Sequence, residues 1–289
     1  MGFRNANTVI EVRNYSFKYA SSDKETLHDV NLKFHEREIT ILVGPTGCGK
    51  STLLKSLIGL IPHMYAGSWS GSVIIDGVSI QDRKINDLAL TVGYVFQNPE
   101  NQIFMFSVER DTAFGLENLG MERAQIRDRV DWAMSLMGIT DLATKPPHEL
   151  SDGQKQRAAL AGILAMKPRV LILDEPTSLL DPHTALELIQ LIRNLRDQLG
   201  ITVIMVEHRL DLIARVADRL LVMENGTIVE DGKPREVFGK NSPSLRNIGI
   251  PTITRLYQAL NSSRPTGNVP LTVDEVVDLI RQKQRSVSA

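Results

Sequence analysis

The stretch GPTGCGKST, residues 44–52, constrains the fold of this chain more than any other segment. It matches the phosphate-binding loop pattern G-x-x-x-x-G-K-[ST]. The pattern also has the context it requires, because the apolar strand segment EITILV precedes it and a helix from about Lys50 to Leu60 is predicted after it. The sequence therefore predicts a strand–loop–helix unit whose backbone amides face the phosphates of a nucleotide.

Each polar residue of this loop has a predicted task. Lys50 places a point charge at the outer phosphates, the Ser51 hydroxyl can ligate Mg²⁺, and Thr52 helps at the inner phosphate. Cys48 occupies a permissive position. The rest of the predicted nucleotide site is the loop backbone, at Gly44, Pro45, Thr46, Gly47, Cys48 and Gly49.

The segment VLILDEPTS supplies a second, independent element. Its apolar residues predict a buried strand that ends in Asp174 and Glu175. Asp174 would hold Mg²⁺ through water, and Glu175 could accept a proton from an attacking water. Adjacent carboxylates can also be ordinary solvated turn chemistry, but the phosphate loop favours the catalytic interpretation.

Two further polar residues follow predicted strands. Gln97 ends TVGYVFQ and could reach Mg²⁺ or the attacking water, and His208 ends ITVIMVEH and could bond the terminal phosphate. Alone, either residue could be an ordinary surface or core group. Ligands gather at the carboxyl ends of strands in doubly wound sheets, which favours a functional role for both.

A second phosphate-facing segment, HELSDGQKQRAAL, lies past the middle of the chain. Ser151 and Gln154 have the spacing of a capping box, so a helix is predicted to begin at the amides of Asp152 and Gly153. The N-terminus of a helix with free N–H groups is suited to an anion. The sequence thus contains two phosphate-binding features for one nucleotide.

Composition excludes several other classes of protein. Lys plus Arg number 33 against 34 Asp plus Glu, so nothing indicates a basic nucleic-acid-binding protein, and we expect no nucleic acid partner. No apolar run in the sequence approaches the length that spans a bilayer. The single cysteine rules out an internal disulfide and fits a reducing cytosol.

The order of predicted elements indicates an α/β fold. Short strands occupy residues 8–43, helical periodicity runs from about Ser107 to Met166, and strands alternate with helices after Arg169, ending in a hairpin across Asn225 and Gly226. We expect a phosphate-loop core with a mainly parallel sheet, an antiparallel β subdomain and a helical subdomain at about 98–168. Residues 1–240 would form the nucleotide-binding domain and residues 241–289 an extension, either loosely attached or an interaction module.

Taken in order, the phosphate loop, Gln97, LSDGQ, LDEP, SLLD and His208 resemble the ATP-binding cassette (ABC) ATPases over residues 8–240. The resemblance implies ATP and Mg²⁺ as cofactors and a second cassette, identical or paralogous, paired head to tail. It also implies that Ser151, Gly153 and Gln154 meet the γ-phosphate held by the partner cassette. Asp181 would communicate between the two sites, and Tyr19 would stack on adenine unless it is a core aromatic of the sheet.

A narrower resemblance rests on QNPENQIF and EHR. These segments are similar to those of the energy-coupling-factor importers, which take up vitamins or transition-metal ions. It implies a membrane coupling protein, a substrate-binding membrane subunit and a peripheral position on the cytoplasmic face of the membrane. Residues 103–106 would line the groove for the coupling protein, or would simply pack the helical subdomain.

Asp152 departs from the family pattern, which usually has glycine there. Its carboxylate suits a helix N-terminus but would repel a phosphate if it pointed inward, so we expect it to face away. We also hypothesise that hydrolysis is slower than the family norm. Two other functions stay open: a soluble ABC ATPase in DNA repair or translation, and a regulatory cassette of low turnover. The sequence does not indicate which solute is transported, because selectivity would lie on a membrane subunit.

Overall fold

Ten strands form two sheets in the computed structural model, which describes residues 7–240, 242–260 and 269–287, with side chains to residue 282. Of the predicted extension, residues 241, 261–268, 288 and 289 lie outside this description. The strands, in chain order, are β1 (Thr8–Tyr19), β2 (Leu27–His35), β3 (Ile39–Val43), β4 (Gly67–Ile75), β5 (Val78–Ser79), β6 (Val92–Val95), β7 (Val170–Asp174), β8 (Thr202–Val206), β9 (Arg219–Glu224) and β10 (Thr227–Gly232).

The two sheets have different strand directions. The first is antiparallel with the order β2-β1-β4-β5, and the second has the order β10-β9-β3-β8-β7-β6. In the second sheet β9, β3, β8, β7 and β6 are parallel, and β10 returns antiparallel to β9. The mainly parallel sheet, the antiparallel β region and the predicted hairpin across Asn225 and Gly226 are therefore confirmed.

Helices connect and cover these strands. They are α1 (Lys50–Leu57), α2 (Leu60–His63), α3 (Ile85–Ala89), α4 (Val108–Asn118), α5 (Arg123–Met137), α6 (Asp152–Ala165), α7 (Pro182–Leu199), α8 (Leu210–Ile213), α9 (Pro234–Gly239), α10 (Pro243–Ile248), α11 (Thr252–Leu260) and α12 (Val273–Val287). The helix after the phosphate loop ends at Leu57 rather than about Leu60, because Gly59 follows in the left-handed conformation with φ 75°.

The parallel sheet is buried on both faces. Every residue of β3 and β8 is buried, as are the first four residues of β7. One face packs against α4–α7, where α7 contributes Leu188, Ile189 and Ile192, and the other packs against the antiparallel sheet and α1. This burial holds the carboxyl ends of β3, β6, β7 and β8 at one edge of the sheet.

The predicted helical region is confirmed as α4, α5 and α6, inserted between β6 and β7. Ser107 caps α4 by accepting a hydrogen bond from the backbone N–H of Arg110 at 3.4 Å, and Gly138 ends α5 at φ 66°. The three helices pack against one another, so the segment that begins α6 is carried by a helical layer beside the sheet.

The C-terminal helices contact the rest of the chain at defined points. Thr252 donates backbone and hydroxyl hydrogen bonds to Asp211 at 2.6 and 2.9 Å, and Arg235 of α9 pairs with Glu275 of α12 at 2.5 Å. Within the described residues, no helix is long and apolar enough to cross a bilayer. The domain boundary at residue 240 stays a prediction.

Candidate nucleotide-binding site

The phosphate loop joins the end of β3 to the start of α1. Gly47 and Gly49 have φ values of 79° and 111°, which residues with a Cβ rarely adopt. The Lys50 side chain is buried against the loop, and its ammonium donates to the carbonyl oxygens of Gly44 and Pro45 at 2.8 and 2.9 Å. An ammonium has three donors, so one remains for a phosphate oxygen.

Asp174 ends β7 in a partly buried position beside this loop. Burial raises the pKa of its carboxyl, while a hydrogen bond from Tyr94, the Glu175 charge, the Ser51 hydroxyl and the Lys50 ammonium act more weakly. The Tyr94 hydroxyl donates to Oδ2 at 2.8 Å, so Oδ1 is left as an acceptor. The composition and the motifs gave Tyr94 no role. Its place in the predicted strand TVGYVFQ, which ends in Gln97, was the signal that could have indicated it.

The Glu175 carboxylate lies between the other two predicted catalytic residues. Gln97 Nε2 donates to Oε2 at 2.7 Å, and His208 Nε2 lies 2.9 Å from Oε1. An ionised carboxylate only accepts hydrogen bonds, so the imidazole Nε2 carries the donating proton. Residues from the ends of three neighbouring strands thus meet at one carboxylate.

Three side-chain oxygens at this end of the sheet suit Mg²⁺. Asp174 Oδ1, the Gln97 amide oxygen and the Ser51 hydroxyl are hard donors, and Mg²⁺ typically binds one or two carboxylates together with substrate phosphates. The described residues include no group of three or more His, Cys, Asp or Glu that would form a metal site from protein ligands alone. The donor set therefore fits an ion that is held jointly by protein and nucleotide.

Glu207 positions His208, and sequence reasoning gave it no such role. Its side chain is 2% exposed and accepts hydrogen bonds from the Thr177 hydroxyl at 2.5 Å and the backbone N–H groups of His208 and Arg209 at 2.8 and 3.2 Å. A carboxylate directly after an apolar strand was the available signal. Glu207 fixes the turn that carries His208 toward Glu175.

Tyr19 lies next to the phosphate loop. Its hydroxyl is 3.1 Å from Thr52 Oγ1, and its half-buried ring makes edge contacts with Phe17 and Tyr65, with centroids 4.8 and 6.2 Å apart. Lys55 Nζ lies 4.6 Å from the centroid of the Tyr65 ring. The position is compatible with adenine stacking, which stays a prediction.

The capping box at the start of α6 is confirmed. Ser151 Oγ accepts from the Gln154 N–H at 3.4 Å, and Gln154 Oε1 accepts from the Ser151 N–H at 3.0 Å. Ser151 and Asp152 are exposed. Among the described residues, no hydrogen bond joins residues 151–154 to residues 44–52, the phosphate loop of the same chain.

Gly153 and Asp181 have local roles that the motifs did not reveal. A Cβ on Gly153 would lie 2.7 Å from Thr184 Cγ2, so the absence of a side chain lets α6 approach α7. Asp181 caps α7, accepting from the backbone N–H groups of His183 and Thr184 at 2.9 and 3.1 Å. Hydrogen bonds from Thr184 and His183 lower the pKa of its carboxyl. Communication through Asp181 stays a prediction.

The apolar residues after Gln97 divide into core and surface. Ile103 is 6% exposed and belongs to the core, whereas Phe104 and Phe106 are 63% and 83% exposed. The Phe104 ring also makes an edge contact with Phe114, with centroids 4.8 Å apart. Packing thus accounts for Ile103, and the two phenylalanines form an apolar surface on the helical layer.

The fold and these sites define a phosphate-loop ATPase with an inserted helical layer, and comparison with known proteins gives the family. A family model described as ABC transporter matches residues 27–178, which is more than half of the chain. The chain therefore belongs to the ABC transporter family, and it is an ATPase of that family.

Individual relatives show which ABC transporter proteins this chain is similar to. The chain is 41% identical over 282 residues to the energy-coupling factor transporter ATP-binding protein EcfA1 of Ligilactobacillus salivarius, covering 96% of this chain and 98% of that protein. A solved structure of CbiO1 from Clostridium perfringens, part of the ABC transporter complex CbiONQ, matches with a TM-score of 0.74 and 37% identity over 81% of this chain and 92% of that one. The dimeric ATP-binding cassette MJ0796, solved with ADP and phosphate, matches with a TM-score of 0.68 and 28% identity over 78% of this chain and 98% of that one.

Proposed function

We propose that this chain is the ATP-hydrolysing subunit of an energy-coupling-factor importer. ATP binding closes a dimer of cassettes, hydrolysis reopens it, and the movement drives uptake of a vitamin or a transition-metal ion through membrane partners. The observation that carries the proposal is the Glu175 carboxylate, held by Gln97 and His208 beside the phosphate loop. The similarity to EcfA1 and to CbiO1 supports the importer type.

The residues of this chain divide the chemistry among themselves. The loop amides and Lys50 bind the phosphates, while Ser51 and Asp174, with Gln97, would hold Mg²⁺, which neutralises charge on the β- and γ-phosphates. Glu175 would orient the attacking water and accept its proton, and the His208 Nε2–H, which lies on Glu175 in this structure, would turn to the terminal phosphate when ATP binds. Through its contact with Glu175, Gln97 transmits the nucleotide state of this site to the helical layer.

The start of α6 supplies the other half of the site. Its capping box leaves backbone N–H groups and the Ser151 hydroxyl at an exposed helix N-terminus, which is suited to an anion. Ser151, Gly153 and Gln154 would contact the γ-phosphate bound by the partner cassette. The dimeric form of the similar cassette MJ0796 supports this arrangement.

Replacing the base tests the catalytic part of the proposal. Glu175→Gln keeps the shape of the side chain and removes the proton acceptor, so turnover should fall by about 10²–10⁴-fold. With ATP and Mg²⁺ the variant should accumulate as a dimer of twice the chain mass by light scattering. A variant that turns over ATP normally and stays monomeric would contradict both the catalytic role and the dimer.

The importer part of the proposal needs a different measurement. We expect the chain to lie on the cytoplasmic face of the membrane, bound to a coupling protein and a substrate-binding membrane subunit. Phe104→Glu places a charge in the exposed apolar surface and should abolish uptake while ATP binding survives; Leu186→Glu, at a 50% exposed leucine on α7, is the matched control. Uptake that survives the Phe104 change would place the membrane contact elsewhere.

A further inference from the structure

The start of α6 carries a negative charge where the proposed function needs an anion to bind. Asp152 is the first residue of α6, and its side chain is 58% exposed. A carboxylate at this end interacts favourably with the helix dipole. The same charge repels a phosphate that approaches the N–H groups of the same turn. A nearby cation that offsets this repulsion would therefore strengthen phosphate binding at this surface.

Lys155, one turn further along α6, is such a cation. Its side chain is only 13% exposed, and its Nζ lies 3.9 Å from Asp152 Oδ1. The ammonium is held more closely by Glu100, whose Oε1 is 2.5 Å away. Lys155 therefore lies between two carboxylates, and its position is set by the Glu100 ion pair rather than by Asp152.

The backbone at Glu100 is held by its surroundings, while its side chain is 62% exposed. It lies in the short 3₁₀ turn Pro99–Asn101, where the Asn98 side chain accepts a hydrogen bond from the Glu100 N–H at 2.9 Å. Packing between this turn and α6 keeps the two elements together. Glu100 follows Gln97 by three residues, so the segment that contacts Glu175 also holds the cation at the start of α6.

We infer that Lys155 is a positioning residue that offsets the charge of Asp152, so that the partner's ATP can bind at the start of α6. This inference rests on the proposed function, because it requires the cassette dimer. The ammonium acts on the phosphate through Asp152, by compensating part of the charge of that carboxylate. A different role, in which Lys155 only fastens α6 to the 3₁₀ turn, is separable by experiment.

The experiment measures the ATP concentration for half-maximal dimer formation of the full chain, by light scattering, in the Glu175→Gln background. Lys155→Met should raise this concentration about tenfold, since it leaves Asp152 uncompensated. Lys155→Arg keeps the charge and should stay close to the parent. Lys240→Met is the matched control, because Lys240 pairs with Glu230 at 2.6 Å on β10, and it should change nothing.

The decisive comparison repeats the substitution without the carboxylate. In an Asp152→Gly background, Lys155→Met should have a much smaller effect on the half-maximal ATP concentration, because the carboxylate on the first turn of α6 is absent and only the Glu100 charge loses its partner. The ratio between the Lys155→Met variant and its parent should also shrink as salt is raised, since salt screens exposed charges. Fastening of α6 alone, through the Lys155–Glu100 ion pair, would predict an equal loss in both backgrounds.

The outcomes separate the inference from the proposed function. An equal loss with and without Asp152, or no loss at all, would overturn the role of Lys155 while the dimer stands. If the Glu175→Gln parent forms no dimer with ATP, the proposed function fails and the inference falls with it. Asp152→Gly alone tests the inference even if the Lys155 variant does not fold. It should lower the half-maximal ATP concentration several-fold, because it removes the charge that repels the phosphate. An unchanged value would also overturn the inference.

Discussion

Glu207→Ala should destabilise the chain strongly, although no motif includes this residue. The change removes one buried acceptor group and leaves three donors without a partner: the Thr177 hydroxyl and the N–H groups of His208 and Arg209. Each unsatisfied buried donor costs about 1–3 kcal/mol, and the two backbone groups are only partly buried. We therefore expect a loss of roughly 3–5 kcal/mol in the free energy of unfolding.

The measurement is thermal unfolding followed by circular dichroism. For a domain of this size 1 kcal/mol shifts the melting temperature by about 2–4 °C, so Glu207→Ala should lower it by on the order of 10 °C. Thr177→Val removes one donor together with its need for a partner and should cost less, because no buried donor is then left unmatched. ATPase turnover of Glu207→Ala, measured below its melting temperature, should also fall, since the turn that carries His208 loses its support.

Two results would refute this reasoning. A melting temperature within about 2 °C of the parent would mean that the three donors find other partners or water, so that Glu207 is not their essential acceptor. Normal turnover in a destabilised variant would show that the His208 turn keeps its position without Glu207.

The remaining predictions concern three other contacts. Tyr94→Phe removes the hydrogen bond to Asp174 and should raise, by several-fold, the Mg²⁺ concentration that half-saturates ATPase activity. The measurement is a titration of Mg²⁺ at fixed ATP. An unchanged value would show that Tyr94 does not affect Mg²⁺ binding by Asp174. Gly153→Ala brings a Cβ within 2.7 Å of Thr184 Cγ2 and should lower the free energy of unfolding by about 1–3 kcal/mol, measured by denaturant unfolding. Adding Thr184→Ser, which removes Cγ2, should restore part of this loss. If it restores nothing, the steric strain does not lie between these two residues. Arg235→Met should speed hydrogen exchange of the α12 amides roughly fivefold at neutral pH, the value for a partly exposed ion pair. The Arg235 hydrogen bond holds the pKa of Glu275 at about 2, below its ordinary value, so this stabilisation is present above about pH 4.5 and is lost as the pH falls toward 2. The protection of the α12 amides, taken relative to their intrinsic exchange rates at each pH, should therefore fall on acidification. Protection that does not change over this range would contradict the pairing.

The residues that the sequence predicted best are those whose chemistry depends on near neighbours in the chain. The phosphate loop and the capping box of α6 lie within nine and four residues respectively, and both form as local geometry requires. The strand-end positions of Gln97, Asp174 and His208 also followed from the general rule for parallel sheets. That rule predicted that these three side chains lie at one edge of the sheet, but it could not predict the distances between them.

Contacts between distant segments could not be predicted in this way. Tyr94 meets Asp174 across 80 positions, and Thr177 meets Glu207 across 30, because β6, β7 and β8 are neighbours in the sheet. The Lys155 and Glu100 pair spans 55 positions because the turn Pro99–Asn101 packs against α6. Strand order decides the first two contacts and packing of the helical layer decides the third, and hydrophobic periodicity contains no information about either.

The backbone at Glu175 has a consequence for how this enzyme can move. The residue holds a left-handed conformation with φ 50°, and its N–H donates to the Val206 carbonyl of the adjacent strand at 3.0 Å. The direction of the base is therefore built into the main chain of the sheet, at a local cost of about 1–2 kcal/mol. Because the sheet holds this backbone, we expect the Glu175 side chain to leave the main chain in the same direction even if the helical layer moves relative to the sheet.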